Sequence, residues 1–148
     1  RNTMKIINGN IWDKWEDGYY IGITTNCELD KNGDAIMGAG LAKEAKKRIP
    51  TLPYELGHYK QDLSTVAVWN EHKIITIPTK YEWRKPSDIN LIINSCYDIS
   101  TLMMVIQDDI YLPQLGCGKG KLTWEEVKPI MEKYLIDDRF IVVEYSAT

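Results

Sequence analysis

Three short segments concentrate the residues that can handle a phosphorylated ligand: Thr24-Thr25-Asn26, Gly38-Ala39-Gly40 and Gly116-Cys117-Gly118-Lys119-Gly120. Glycine keeps its N–H open to close approach, so a glycine-rich turn can wrap an anion with main-chain donors. Where such a turn enters a helix, the unpaired amides of the first turn and their partial positive charge add to the attraction. Gly38-Ala39-Gly40 stands directly before Leu41–Ile49, whose apolar positions 41, 42, 45 and 49 make one helical face. The Gly116–Gly120 run leads to Thr123 and Glu126, which have the spacing of a capping box. Either turn alone is compatible with an ordinary connection; the two together with Asn26 point to a diphosphate clamp. Two nucleotide fingerprints are excluded. Gly-x-Gly-x-x-Gly fails at Lys43, and a P-loop fails in spacing and at Leu122, where Ser or Thr is needed.

The elements that must position these turns alternate along the chain. Met4–Asn8, Tyr19–Thr25, Val66–Trp69, Lys73–Ile77, Ile110–Leu112 and Phe140–Tyr145 read as strands, with 66–69 and 73–77 joined by a tight turn. Residues 26–37 and 78–86 read as polar loops. Leu41–Ile49 is a helix stopped by Pro50. Ser87 is placed to cap a helix from Asp88 to about Met104, and a last helix follows Thr123, with Pro129 predicting a kink near Glu125. Interleaved strands and helices predict an α/β layer fold with helices on both sheet faces, and open sheets of this kind bind ligands at the strand ends.

The 148 residues fit a single domain spanning 1–148, with Arg1-Asn2-Thr3 read as an expression remnant ahead of a natural start at Met4. A net charge of -3 argues against a broad electrostatic grip on duplex nucleic acid. Cys27, Cys96 and Cys117 are odd in number and far apart, which predicts free thiols in a reducing cytoplasm and no zinc site. No apolar run has the ~20 residues of a membrane span. His72 reads as an exposed turn residue; His58, near Tyr54 and Tyr59, can reach a cleft. Cys117 reads as a small loop residue, or as a thiol activated near phosphates.

Gly9-Asn10-Ile11, Thr24-Thr25-Asn26-Cys27, Met37-Gly38-Ala39-Gly40-Leu41-Ala42, Pro113-Gln114-Leu115-Gly116-Cys117-Gly118 and Leu122-Thr123-Trp124-Glu125, in that order, resemble a macrodomain. The resemblance covers essentially the whole chain. It is closest to the branch holding glycohydrolases of carboxylate-linked ADP-ribose, antitoxins that remove ADP-ribose from DNA bases, and an ADP-ribose 1″-phosphate phosphatase. It implies a three-layer α/β/α fold with a central mixed sheet. It also implies hydrolysis of ADP-ribose derivatives at the distal ribose, with a non-catalytic ADP-ribose reader or a nucleotide-signal sponge as the alternative. By the same resemblance, Asn10 and Ile11 contact adenine, Asn26 holds the distal ribose, and Gly38, Ala39 and Gly40 surround that ribose and its phosphate. Leu115, Gly116, Cys117, Gly118, Lys119 and Gly120 form the diphosphate loop, and Tyr145 either stacks on adenine or is a plain rim residue. Lys80 matches the lysine whose amine attacks the anomeric carbon, with Arg84 and Lys85 as candidate helpers; a solvated loop lysine is the alternative. Gly120 stands where some members carry a catalytic aspartate, which leaves Asp34 as a substitute carboxylate. Lys80, Asn26 and Asp34 are therefore the catalytic candidates. The partners implied are ADP-ribose or an ADP-ribosylated substrate, including ADP-ribosylated nucleic acid, bound by a monomer without cofactor, metal or membrane.

Overall fold

Side-chain alternation along the strands decides the layers. The computed structural model describes residues 4–146, so Arg1-Asn2-Thr3 lie outside the described residues. Six strands form one sheet in the order β1-β6-β5-β2-β4-β3: β1 Lys5–Gly9, β2 Tyr20–Thr25, β3 Ala67–Trp69, β4 Ile74–Pro78, β5 Ile110–Leu112 and β6 Phe140–Tyr145. All neighbours are parallel except β3, which pairs antiparallel with β4 through the expected tight turn. Ile21, Ile23, Ile74, Tyr111, Ile141 and Val143 face one side, and Ile75, Ile77, Ile110, Leu112, Phe140 and Val142 the other. A two-residue period with both faces apolar requires cover on both sides.

That cover comes from five helices. On the first face α1 (Ile11–Glu16) contributes Ile11 and Trp12, α2 (Gly40–Arg48) Ala42 and Ala45, and α3 (Leu52–Tyr59) Leu52 and Leu56. On the second, α4 (Ile89–Ser100) contributes Ile92, Cys96 and Ile99, and α5 (Trp124–Tyr134) Val127 and Met131. The result is the three-layer α/β/α arrangement with a mixed sheet that the sequence predicts.

Several local expectations are corrected. Helices α1 and α3 fall in segments without a strong helical stripe. The Asn10 side chain caps α1 by accepting from the Trp12 N–H at 3.0 Å, and Pro53 lies in the first turn of α3, where a missing N–H has no cost. The cap of α4 is Asp88, which accepts from the Leu91 N–H at 3.1 Å, and not Ser87. The Ser87 N–H instead donates to the Gly120 carbonyl at 2.8 Å. Helix α4 stops at Ser100, where the hydroxyls of Ser100 and Thr101 donate to the carbonyls of Tyr97 and Asp98, and a 3-10 turn over Thr101–Met104 continues it. His72 is half-buried, with Nε2 2.7 Å from Glu55 Oε1.

The capping box of α5 is formed as read: the Glu126 N–H donates to the Thr123 hydroxyl, and the Glu126 carboxylate accepts from the Thr123 N–H at 2.9 Å. Thr123→Ala is expected to lower unfolding free energy by about 1 kcal/mol with an unchanged denaturant slope, as measured by urea unfolding.

Candidate functional site

Because β1, β6, β5, β2 and β4 run parallel, their C-terminal ends share one edge of the sheet. There the loops enclose a cleft of about 800 Å³, a volume suited to a nucleotide-sized ligand. Asn10, Ile11, Asn26, Gly38, Ala39, Gly40, Lys80, Gly116, Cys117, Gly118, Lys119, Gly120 and Tyr145 all line it. Most residues singled out in sequence are thus brought together; Leu115, Asp34, His58, Arg84 and Lys85 are not among the lining residues. Leu115 is fully buried and packs in the core beneath the loop. Asp34 points to His58 Nε2 at 3.0 Å, and His58 stacks on Tyr54, so neither Asp34 nor His58 lies on the cleft.

Two sides of the cleft offer main-chain donors. Helix α2 begins without a side-chain cap at Ala39 and without an acidic residue in its first turn, whereas α1, α4 and α5 are capped by Asn10, Asp88 and Thr123. Its first amides therefore face the cleft without a side-chain acceptor. Opposite, Gly116 holds φ at +73°, which favours glycine, and a Cβ there would press on Ser87 Cβ at 3.1 Å and on the side-chain ends of Ile92 and Leu122. The turn then runs through a 3-10 segment over Gly118–Gly120, with the Leu122 N–H returning to the Gly116 carbonyl at 3.0 Å. The amides of Gly118 and Lys119 open this short helix, positions that intrahelical acceptors do not reach. At the far end, Tyr145 is exposed on the rim beside Gly9, its register partner, and the Ile11 N–H sits in the first turn of α1.

Lys80 owes its position to a ladder that outlives the strands. Beyond the Thr25–Pro78 pair, the Thr79 N–H donates to the Thr25 carbonyl at 3.0 Å and the Cys27 N–H to the Tyr81 carbonyl at 3.1 Å. The Trp83 N–H donates to Glu28 Oε1 at 2.7 Å. The start of the 78–86 segment therefore continues the β2–β4 pairing, and it brings Lys80 to the cleft that Asn26 also lines. The Asn26 amide is held in turn, donating to the Ile36 carbonyl at 3.0 Å and accepting from the Glu28 N–H at 2.9 Å. Lys80 Nζ reaches the Lys119 carbonyl at 3.4 Å. Partial burial, and secondarily the Lys121 charge, push its pKa below the ordinary lysine value. The neighbouring cation is thus Lys121 and not Arg84, which stacks on Trp83 at 4.8 Å.

All three thiols are pushed the other way. Burial, with the Glu126 charge, raises Cys117; burial, with Asp62, raises Cys27 to about 11; and burial raises Cys96 to about 12. Cys117 is a half-buried loop residue on the cleft whose thiol is pushed away from the thiolate form. Among the described residues no group of three His, Cys, Asp or Glu side chains is placed to hold a metal ion. Trp83 and Glu44 also line the cleft and were not singled out in sequence; Ser87, read there as a helix cap, and Gln114, read there only as part of a motif, line it as well. Trp83 and Ser87 sit in or beside a charged, proline-bounded loop whose pattern gives no sign of the ladder that folds it inward.

No family model matches the chain. Comparison with solved structures gives the fold directly. The chain superposes on the macrodomain of Mycobacterium tuberculosis DarG over 100% of both chains, with a TM-score of 0.76 and 22% identity. It superposes on the macrodomain of Thermus aquaticus DarG over 97% of this chain and 98% of that one, with a TM-score of 0.75 and 22% identity. The Thermosipho africanus DarTG structure in complex with ADP-ribose matches 98% of this chain and 42% of its own, with a TM-score of 0.74 and 20% identity. The chain has the macrodomain fold. In sequence it is 30% identical, over 119 residues, to proteins of Mycobacterium bovis and Mycobacterium tuberculosis named DNA ADP-ribosyl glycohydrolase. The match takes in 71% of this chain, which spans about a third (31%) of the length of those relatives.

The steric difference between the two glycine turns is measurable. Gly116→Ala meets both a positive φ and a crowded Cβ position, whereas a Cβ at Gly38 has open space. Urea unfolding is expected to show a loss of about 2–4 kcal/mol for Gly116→Ala and less than about 0.5 kcal/mol for Gly38→Ala.

Proposed function

We propose that this macrodomain binds ADP-ribose along the strand ends and hydrolyses its bond to a nucleobase at the distal ribose. The observation that carries the reading is Lys80, brought to the Asn26-lined cleft by the continued β2–β4 pairing of its neighbours, with its pKa lowered. The diphosphate lies between the amides of 38–40 and 116–120, adenine at the Asn10, Ile11 and Tyr145 end, and the distal ribose between Asn26 and Lys80. Asn10 Oδ1 already accepts from Trp12, so its contact with adenine uses the remaining lone pair or the amide N–H groups.

The chemistry follows from a neutral amine. The Lys80 lone pair forms a bond to the anomeric carbon while the bond to the leaving group breaks, its electron pair leaving with the base. A proton from Nζ passes to the base. Water then displaces the amine: its oxygen bonds to the anomeric carbon as the carbon–Nζ bond breaks, the electron pair returns to Nζ with one proton from the water, and ADP-ribose leaves with the new hydroxyl. Asp34 is too far out of the cleft to serve, so no loop carboxylate assists.

A nucleobase as leaving group is supported by the name of the two sequence relatives and by the mouth of the cleft. Trp83 lines the cleft and is half-exposed, with exposed Tyr81 two residues before it and Arg84 on the Trp83 face, and Lys119 lines the same cleft. Flat rings with cations suit a single strand. We further place it as a monomer spanning 1–148 that acts in the cytoplasm; among the described residues no helix is long and apolar enough to cross a membrane. The absence of a side chain at Gly120 favours a second reading, a binder without turnover.

An ADP-ribosylated single-stranded oligonucleotide, an ADP-ribosylated carboxylate peptide and ADP-ribose 1″-phosphate separate these readings. Release of ADP-ribose from the oligonucleotide is expected, with Lys80→Ala slowing it by roughly 100-fold or more while the Kd for ADP-ribose stays within about 3-fold. The rate should rise with pH as Lys80 loses its proton, with a midpoint below the 10.5 of an ordinary lysine; Lys121→Gln should move that midpoint upward by removing the repulsion. Binding without release from any substrate would establish the binder instead.

A further inference from the structure

Among the described residues, one buried side-chain oxygen has no hydrogen-bond partner: the hydroxyl of Ser87. The residue is 8% exposed and lines the cleft. A buried hydroxyl without a partner is destabilising, and native proteins keep few of them.

Its surroundings are specific. Ser87 is pinned from both sides, by its own N–H on the Gly120 carbonyl at 2.8 Å and by the Asp88 N–H on the Thr79 carbonyl at 2.8 Å. It therefore bridges the diphosphate turn and the segment that carries Lys80. Both glycines above it make room for it. A Cβ at Gly116 would lie 3.1 Å from Ser87 Cβ, and a Cβ at Gly120 would overlap the Ser87 hydroxyl itself. The hydroxyl thus takes the space that any side chain at position 120 would fill.

We infer that the Ser87 hydroxyl is a ligand-binding group, donating a hydrogen bond to an oxygen of the cleft's occupant at the Lys80 end. Serine χ1 has three staggered wells. An occupant oxygen near Thr79 and Lys80 draws the hydroxyl out of contact with Gly120 and supplies the partner the protein lacks. This rests on the proposed ADP-ribose site and adds a side-chain contact to a clamp otherwise made of amides. The oxygen belongs either to the diphosphate or to the distal ribose.

Ser87→Ala tests this by calorimetry with ADP-ribose and with ADP, alongside thermal unfolding of the ligand-free protein. ADP-ribose affinity is expected to fall by about 5- to 10-fold, the yield of one hydrogen bond. An equal fall for ADP places the oxygen on the diphosphate, and an unchanged ADP affinity places it on the distal ribose. The Tm of the free variant should equal or exceed that of the native protein, since no bond within the protein is lost. Unchanged ADP-ribose affinity, or a Tm lowered by several degrees, would overturn the inference. Failure of the native protein to bind ADP-ribose would overturn the reading of the site itself, and this contact with it.

Discussion

A short parallel pairing, Tyr20 against Ile110 and Ile21 against Tyr111, is what makes a site possible here. It joins the two halves of the sheet, β1-β6-β5 and β2-β4-β3, and brings the C-terminal ends of β5 and β2 side by side. The turn after β5 carries Gly116–Gly120. The segment after β2 carries Asn26 and, beyond it, Gly38–Gly40 at the start of α2. Both turns thereby border the same cleft, although they are distant in sequence. The pairing is only two residues long, so it depends on the packing of both faces, where Ile21 and Tyr111 sit in one apolar cluster and Ile110 in the other.

The same parallel register places the chemistry. β2 and β4 leave the sheet together, and their ladder continues through Thr79 and Tyr81. A lysine on a free surface loop would be solvated and fully charged. At the cleft and near Lys121, Lys80 is partly desolvated, and its neutral form becomes more accessible. The position of Lys80 and its lowered pKa thus go with one feature of the backbone.

Much of this was legible in the residues, for identifiable reasons. The strands carry β-branched runs, the glycine turns carry their own conformational signature, and the Thr123–Glu126 box is a local motif. What escaped depends on contacts across the fold. Helix α1 is six residues long and α3 eight, too short for a periodic stripe to stand out. Residues 78–86 look like a charged loop because the ladder that folds them inward lies on another strand. Asp34 looks available until His58, 24 positions away, is seen to hold it. Ser87 looks like a helix cap because Asp88, the actual cap, is its neighbour. The local sequence also does not separate Lys121 from Arg84 and Lys85 as the cation near Lys80, since Lys121 is 41 positions away and comes near only through the fold.

Amide resonances report the central interaction without passing through activity. In a titration of ¹⁵N-labelled protein with ADP-ribose, the amides of Gly38, Ala39, Gly40, Gly118 and Lys119 should show the largest saturable shifts, as expected for N–H groups that gain phosphate acceptors. Saturable binding that leaves those five resonances in place, with shifts clustered elsewhere, would contradict a main-chain clamp on the diphosphate.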